Sequence, residues 1–315
     1  MSTPALVVTG MGAVSPLGLD VLSLSRSLST EEPEPIRETP DFAHRLTLHQ
    51  ARRLDRLSQL VVVAAAEAAA QARLDPMNVE RMGLVVGTGL GCTEKTWAQL
   101  LGITERGLAH ADPMGFPDSM DNAPAAHAAM ALGCRGPSLT LVGREISGEI
   151  AVMAGALLLR SRSTDAVVVV AGDAASPTLR KVVRRFAPDL PVGEGAGALV
   201  LETEDSASRR GARILGRLLG YAQSQERPGG SRLRAATDKT VGKACSAALA
   251  MAALSHEDVR TFSSESLRPR IGWLMADGIV RAIAGLVLLE RDGRAAALVP
   301  GRARGGAAAA LVLGA

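Results

Sequence analysis

Chemistry in this 315-residue chain has to come from few groups: three cysteines, five histidines and several glycine-rich turns. Cys92, Cys134 and Cys245 stand apart, with neither metal-ligand spacing nor even pairing, so they predict free thiols in a reducing compartment. His44, His49 and His110 sit in polar segments, and Ser255-His256-Glu257-Asp258 reads as a helix start in which Ser255 caps and Asp258 reaches back. Gly87, Gly89 and Gly91 follow a strand-like run, but the third glycine of the dinucleotide fingerprint is missing and no P-loop Lys-Ser/Thr follows. No metal or nucleotide cofactor is therefore expected.

The elements that would position a site follow from periodicity. Leu6 to Gly10 is a short β-branched run stopped by glycine, and the turn-rich Gly12 to Gly18 follows it, which predicts a strand running into a loop. From Leu57 onward, Leu60, Val61, Ala64, Ala65 and Ala68 recur at helical spacing, and their small size predicts a close, buried contact. Gly83 to Gly87 and Ser138 to Val142 read as strands, and Ala166 to Ala171 as a strand covered on both faces. Between the last two, Ser147 to Arg160 predicts a helix with Ile150, Met153, Ala154, Leu157 and Leu158 on one face, hence parallel strands joined by a right-handed crossover. Ser29 to Pro40, polar and rich in Pro and Glu, predicts a surface excursion.

Two stretches resemble each other. Gly193-Glu194-Gly195-Ala196-Gly197 leads into Ala198-Leu199-Val200-Leu201, and Arg304-Gly305-Gly306 leads into Ala310-Leu311-Val312-Leu313. Two such endings predict a duplicated α/β unit.

Composition sets the outer limits. With 47% hydrophobic and 21% charged residues, the chain can bury one large core or two fused medium ones. Aromatics are only 2% while Ala and Gly are abundant, so the layers must approach closely, as in a layered α/β protein. The net charge of +3 comes from scattered Lys and Arg without interleaved aromatic platforms, which argues against single-strand nucleic-acid binding and suits an acidic carrier protein. The start lacks signal-peptide character and no apolar stretch reaches the ~18 residues of a membrane span, so a cytoplasmic location is expected.

Val7-Val8-Thr9-Gly10-Met11-Gly12-Ala13-Val14-Ser15-Pro16-Leu17-Gly18 resembles the opening of β-ketoacyl-carrier-protein synthases. Four further segments follow in that family's order: Arg53 to Leu60, Val85 to Gly91, Asn122 to His127 and Gly193 to Gly197. The resemblance implies the thiolase fold, α/β, with duplicated α/β halves in a five-layer αβαβα arrangement. Residues 1–205 would form the first half and 206–315 a shortened second half, fused into one globular unit that dimerises through the first sheet.

Active members of that family carry a nucleophilic cysteine in an Ala-Cys-Ala-Ser-Gly type turn at a helix start, where the helix dipole and neighbouring histidines favour the thiolate. The matching stretch is Arg144-Glu145-Ile146-Ser147-Gly148, with Glu145 at the nucleophile position. A carboxylate there cannot hold an acyl chain as a thioester. The two histidines that support decarboxylation are also missing. No His-Gly-Thr-Gly-Thr motif exists, a loop deletion is implied around Arg260 to Ser266, and Trp273 stands where the Gly-His motif has its histidine. The family's closing Phe-Gly-Phe-Gly-Gly turn, which supplies a backbone oxyanion donor, resembles Arg302-Ala303-Arg304-Gly305-Gly306. Glu145 then has three readings: an acid or base in new chemistry, a charge partner of Arg144, Arg302 or Arg304 plugging a vestigial pocket, or a solvated surface residue.

In relatives, the helix entered after Gly91 closes the far end of the acyl tunnel near the dimer interface. Thr96, Trp97, Leu100 and Leu101 are the implied tunnel end, a core aromatic at Trp97 being the alternative, and His127 falls near the partner interface as a packing residue. The resemblance thus implies a chain-length-factor-like subunit of a polyketide or fatty-acid synthase, without catalytic residues of its own. It would form a heterodimer with an active β-ketoacyl synthase subunit and meet the acyl carrier protein in that complex. The alternatives are a malonyl-carrier-protein decarboxylase making starter units, and a scaffold or binding protein.

Overall fold

The computed structural model describes residues 4–29, 38–74, 76–226, 234–292 and 295–315. The Pro/Glu-rich segment expected at the surface falls largely on residues 30–37, outside the described residues. The first block runs β1 (Leu6–Val14), α1 (Val21–Leu28), α2 (Leu48–Arg53), α3 (Arg56–Ala72), β2 (Met82–Thr88), α4 (Thr93–Arg106), α5 (Ala123–Leu132), β3 (Ser138–Val142), α6 (Ser147–Arg160), β4 (Ala166–Asp173), α7 (Pro177–Phe186) and β5 (Gly195–Thr203). The second adds α8 (Glu204–Arg209), β6 (Gly216–Gln225), α9 (Asp238–Ala252), β7 (Val259–Thr261), α10 (Ser264–Ile271), α11 (Gly278–Asp292), β8 (Ala296–Arg302) and β9 (Ala307–Gly314).

The strands form one ladder in the order β3-β2-β4-β5-β1-β6-β9-β8-β7, in which β1 and β6 join the two halves through only a short antiparallel pairing. Within it the run β2-β4-β5-β1 is repeated in the second half as β7-β8-β9-β6, with α3 matched by α9 and α6 by α11. The two similar stretches noted above enter β5 and β9, which hold equivalent places, so the internal repeat is a structural one. The second half is the shorter: from β7 the chain passes straight into α10, and among the described residues no strand matches β3.

Strand alternation divides the apolar residues among three cores. Val168 and Val170 of β4 face α3 and α5, while Val167 and Val169 face the central layer with α6 and α11. In the second half, Ala309, Leu311 and Leu313 of β9 face that central layer, whereas Ala308, Ala310 and Val312 face α9. The result is five layers, helix, sheet, helix, sheet, helix. Strands covered on both faces explain the unbroken apolar runs.

Small residues set the layer spacing. A Cβ on Gly10 would lie 2.1 Å from the Ala68 carbonyl oxygen, and one on Gly12 equally close to that of Ala64, so α3 lies directly on β1. Gly220 of β6 meets the Ala248 carbonyl of α9 at the same 2.1 Å, the same device in the second half. At the centre, Gly148 of α6 abuts Gly278 of α11.

Three expectations need correction. The expected face of α6 holds in part: Met153 is buried and Ile150, Ala154 and Leu158 pack against the central core, but Leu157 is exposed, and Ala151, Val152, Gly155, Ala156 and Leu159 are buried as well because the helix is covered by sheets on both sides. The strands flanking α6 do run parallel, but β2 lies between them. Ser255 to Asp258 is a turn entering β7, with Ser255 Oγ donating to Asp258 Oδ2 at 2.7 Å, rather than a helix start.

Candidate functional site: a charged pocket and an exposed apolar face

From β3 the chain turns through Gly143 and a short 3-10 turn, Arg144–Ile146, into α6. Arg144 adopts φ +55°, the left-handed region that costs L-residues free energy. Ser147 holds the turn: its Oγ accepts from the Gly143 N–H at 3.0 Å and lies 2.8 Å from the Thr88 carbonyl and 2.6 Å from that of Arg144.

This elbow presents Glu145 to a cavity of about 280 Å³, whose lining includes Glu145, Trp273, Arg302 and Arg304. Four of the residues singled out in sequence, from three distant segments, therefore meet at one site. Arg144 is exposed and does not line the cavity, so its expected place there is corrected. Glu145 Oε2 accepts the backbone N–H of Arg304 at 3.2 Å, and its Oε1 lies 3.6 Å from Arg304 Nε. Arg302 is engaged elsewhere, by Asp238.

Trp273 is placed by backbone pairing. Its N–H donates to the Pro191 carbonyl at 2.6 Å and its carbonyl accepts the Gly193 N–H at 3.0 Å. A Cβ on Gly193 would sit 2.0 Å from the Ile271 carbonyl, which is why that turn needs glycine. None of the five histidines lines the cavity. The solvated-surface reading of Glu145 fails too, because its side chain is only 17% exposed and is held by the turn.

At the cavity wall, to which Asp277 belongs, lies a charge cluster that sequence reasoning missed. Arg281 of α11, fully buried, donates from Nη2 to Glu149 Oε1 at 2.6 Å and from Nε to Asp277 Oδ1 at 2.8 Å. It also reaches the Pro300 and Phe262 carbonyls, at 2.6 and 3.2 Å. Burial raises the pKa of both Glu149 and Asp277 even though Arg281 pulls each down. Burial also opposes the charge of Arg281, but the two carboxylates outweigh it and raise its pKa. Glu149 Oε2 has no hydrogen-bond partner among the described residues. The signal was present: Glu149 interrupts one apolar helix, and Asp277 and Arg281 sit four apart at the start of another.

Asp173, at the end of β4, ties the two loops beside the site together. It accepts Thr88 Oγ1 at 2.8 Å, the Gly89 and Leu90 N–H groups at 2.9 and 3.1 Å, and the Ala276 N–H at 2.9 Å. Burial pushes its pKa up to about 6 despite these donors.

The residues expected at a tunnel end form a different kind of surface. Trp97, Leu100 and Leu101 are 53%, 54% and 41% exposed on α4, a helix with no buried residue, so Trp97 is not a core aromatic. Thr96 Oγ1 donates back to the Ser119 carbonyl at 2.8 Å. Exposed Phe116, Met120 and Met130 surround this helix and α5, and Leu139 and Val142 are exposed on the edge strand β3. His127 Nε2 lies 2.9 Å from Asp118 Oδ1, beside a groove of about 450 Å³ that His49, Arg53, Met114 and Met130 also line. These side chains share the α4, α5 and β3 side of the first half and are not among the residues that line the Glu145 cavity. Among the described residues no helix is long and apolar enough to cross a membrane.

The family model for the β-ketoacyl synthase N-terminal domain matches residues 32–207. Nodulation protein E of Rhizobium sp. is 30% identical over 258 residues, 70% of this chain and 63% of that protein. The 3-oxoacyl-(acyl-carrier-protein) synthase 2 of Staphylococcus aureus is 28% identical over 283 residues, 74% of this chain and 68% of that protein. The chain thus spans less than two thirds of the nodulation protein's length. Among solved structures, the ishigamide ketosynthase/chain length factor superposes with a TM-score of 0.85 at 20% identity, covering 99% of both chains. A ketosynthase solved in complex with its type II polyketide synthase acyl-carrier protein superposes at 0.81 with 17% identity, covering 100% of both chains. The halves, the layers and the matched N-terminal domain lead to one assignment: the chain belongs to the β-ketoacyl synthase family and has the thiolase fold.

Proposed function

We propose that this chain is a non-catalytic, chain-length-factor-like partner of an active β-ketoacyl synthase subunit, shaping the acyl tunnel at the interface between them. The observation that carries this reading is the engagement of Glu145 with the Arg304 N–H. In relatives that turn offers a backbone donor to a developing oxyanion; here the chain's own carboxylate takes it. Catalysis would need a thiolate at the elbow and an imidazole nearby, and the cavity offers carboxylates, guanidiniums and Trp273 instead.

The uncovered face supports the second part. A helix with Trp97, Leu100 and Leu101 more than a third exposed, beside an edge strand with outward Leu139 and Val142, is costly to leave in water and is suited to burial by another subunit. If Thr96, Trp97, Leu100 and Leu101 close a tunnel that begins in the partner, a growing chain that reaches them must overfill a packed space, at about 1–3 kcal/mol. The acyl carrier protein would then deliver substrate to the pair rather than to this chain. Co-expression with a type II synthase subunit from the same source, followed by native mass measurement, tests the pairing. A one-to-one complex is expected, and two subunits that elute and weigh as separate species would refute it.

A further inference from the structure

Two carboxylates and one guanidinium are buried together where α6 meets α11. The Glu149 and Arg281 side chains are fully buried and that of Asp277 nearly so, so water and salt screen them little. Asp277 Oδ1 receives two donors, Arg281 Nε at 2.8 Å and Ser264 Oγ at 3.2 Å. Glu149 receives one, Arg281 Nη2 at 2.6 Å on Oε1, and its Oε2 has none among the described residues. The carboxyl has no room to turn, because a Cβ on Gly278 or on Gly301 would lie 2.3 Å from one of its oxygens.

The elements around it bring Glu149 no second cation. From α10, Arg268 acts at a distance on both Glu265 and Asp277. Arg302 of β8 is taken by Asp238, and the Pro300 carbonyl is already held by Arg281 Nη1 at 2.6 Å. Glu145 and Arg304 engage each other, and Asp173 of β4 reaches this segment through the Ala276 N–H at 2.9 Å. An ionised oxygen without a donor is costlier to bury than a carboxyl that carries its own proton. Two carboxyls that share one cation titrate as a unit.

We propose that the Glu149–Asp277–Arg281 cluster keeps one proton on Glu149 at neutral pH, and that its loss at alkaline pH loosens the contact between Glu145 and Arg304. Glu149 lies four residues after Glu145, and Arg281 grips Pro300, four residues before Arg304, so the cluster braces both sides of that contact. Once the proton passes to solvent, an unbalanced negative charge sits where α6 and α11 cross at Gly148 and Gly278 and pushes them apart. Burial raises the pKa of Glu149 against the pull of Arg281, which agrees in sign. The stability this group contributes is complete below the ordinary 4.5 and is lost as pH rises through the folded value. The inference stands whether or not the chain pairs with a synthase.

The test records infrared spectra of the purified full chain at neutral pH. A carboxylic-acid C=O stretch that moves with 13C-labelled glutamate is expected in the wild type. It should vanish in Glu149→Gln and equally in Asp277→Asn, since either variant leaves one carboxylate for one guanidinium; should one variant fail to fold, the other carries the comparison. The contact is followed by fluorescence of Trp273, which lines the cavity, in a Trp97→Phe background that leaves it the one tryptophan. Its emission should shift to the red as pH rises from neutral to alkaline, and the shift should be lost when Glu149→Gln is added. No acid band in the wild type, a band that ignores the glutamate label, a band kept in the variants, or an equal Trp273 shift with and without Glu149→Gln would overturn the inference.

Discussion

Glu145 and Arg304 are joined twice, by a hydrogen bond of 3.2 Å from the Arg304 backbone N–H and by an ion-pair approach of 3.6 Å to its guanidinium. The first contact ties the elbow before α6 to the turn between β8 and β9. On the proposed reading, this carboxylate occupies a backbone donor that a condensing site would need free.

The buried cluster beside that site should dominate local stability. Removing Arg281 leaves Glu149 and Asp277 buried without their cation, so Arg281→Met is expected to cost about 3–5 kcal/mol in denaturant unfolding. Glu149→Gln removes one of two carboxylates sharing a single guanidinium and should cost far less. Equal losses in the two variants would contradict this reading of the cluster.

The glycines at the strand–helix contacts allow a paired test across the duplication. Gly10→Ala and Gly220→Ala each put a methyl about where a helix carbonyl oxygen already lies, at 2.1 Å. Each should destabilise by about 1–3 kcal/mol, as overpacked cores do, measured by chemical unfolding. Gly242, which has open space around it, should tolerate alanine without loss.

This pairing also marks how far the sequence could be read. The unbroken apolar run Ala166 to Ala171 and the helical spacing from Leu57 to Ala68 located the strand and helix, because burial on two faces leaves a continuous run and burial on one leaves a period. The repeat at Gly193 and Arg304 located the duplication, and the resemblance to the synthase motifs singled out Glu145, Trp273, Arg302 and Arg304, which share one cavity. Periodicity read α6 only in part: it counted the exposed Leu157 and passed over the buried Gly155 and Ala156, which carry little hydropathy signal. Arg144 was misplaced because the left-handed turn at that residue, invisible in the letters, puts it outside the cavity. The ion cluster went unseen because its partners, Glu149 and Arg281, lie far apart in the chain and meet only when two helices cross at Gly148 and Gly278.

Asp173 predicts a pH dependence of definite sign. Its folded pKa, about 6, lies above the ordinary 3.8, so its contribution to stability is complete below pH 4 and is lost as pH rises through 6. Relative to Asp173→Asn, the wild type should lose up to about 3 kcal/mol of unfolding free energy between pH 4 and pH 7. A difference that grows with pH would reverse the assignment and show that the donors around Asp173 outweigh its burial.

Trp97 is exposed in the isolated chain, so Trp97→Ala should leave its unfolding free energy within about 0.5 kcal/mol of wild type. In a reconstituted pair with a synthase, the same substitution should lengthen the product, read by mass spectrometry. An unchanged product distribution would remove Trp97 from the tunnel end.

The most direct measurement gives the purified chain, without any companion subunit, malonyl-carrier protein together with an acyl-carrier protein, and follows intact mass and CO2 release. The account predicts no covalent acyl adduct, no condensation product and no CO2 above the protein-free control. A mass shift from an attached acyl group, or carbon–carbon bond formation by the chain alone, would contradict it.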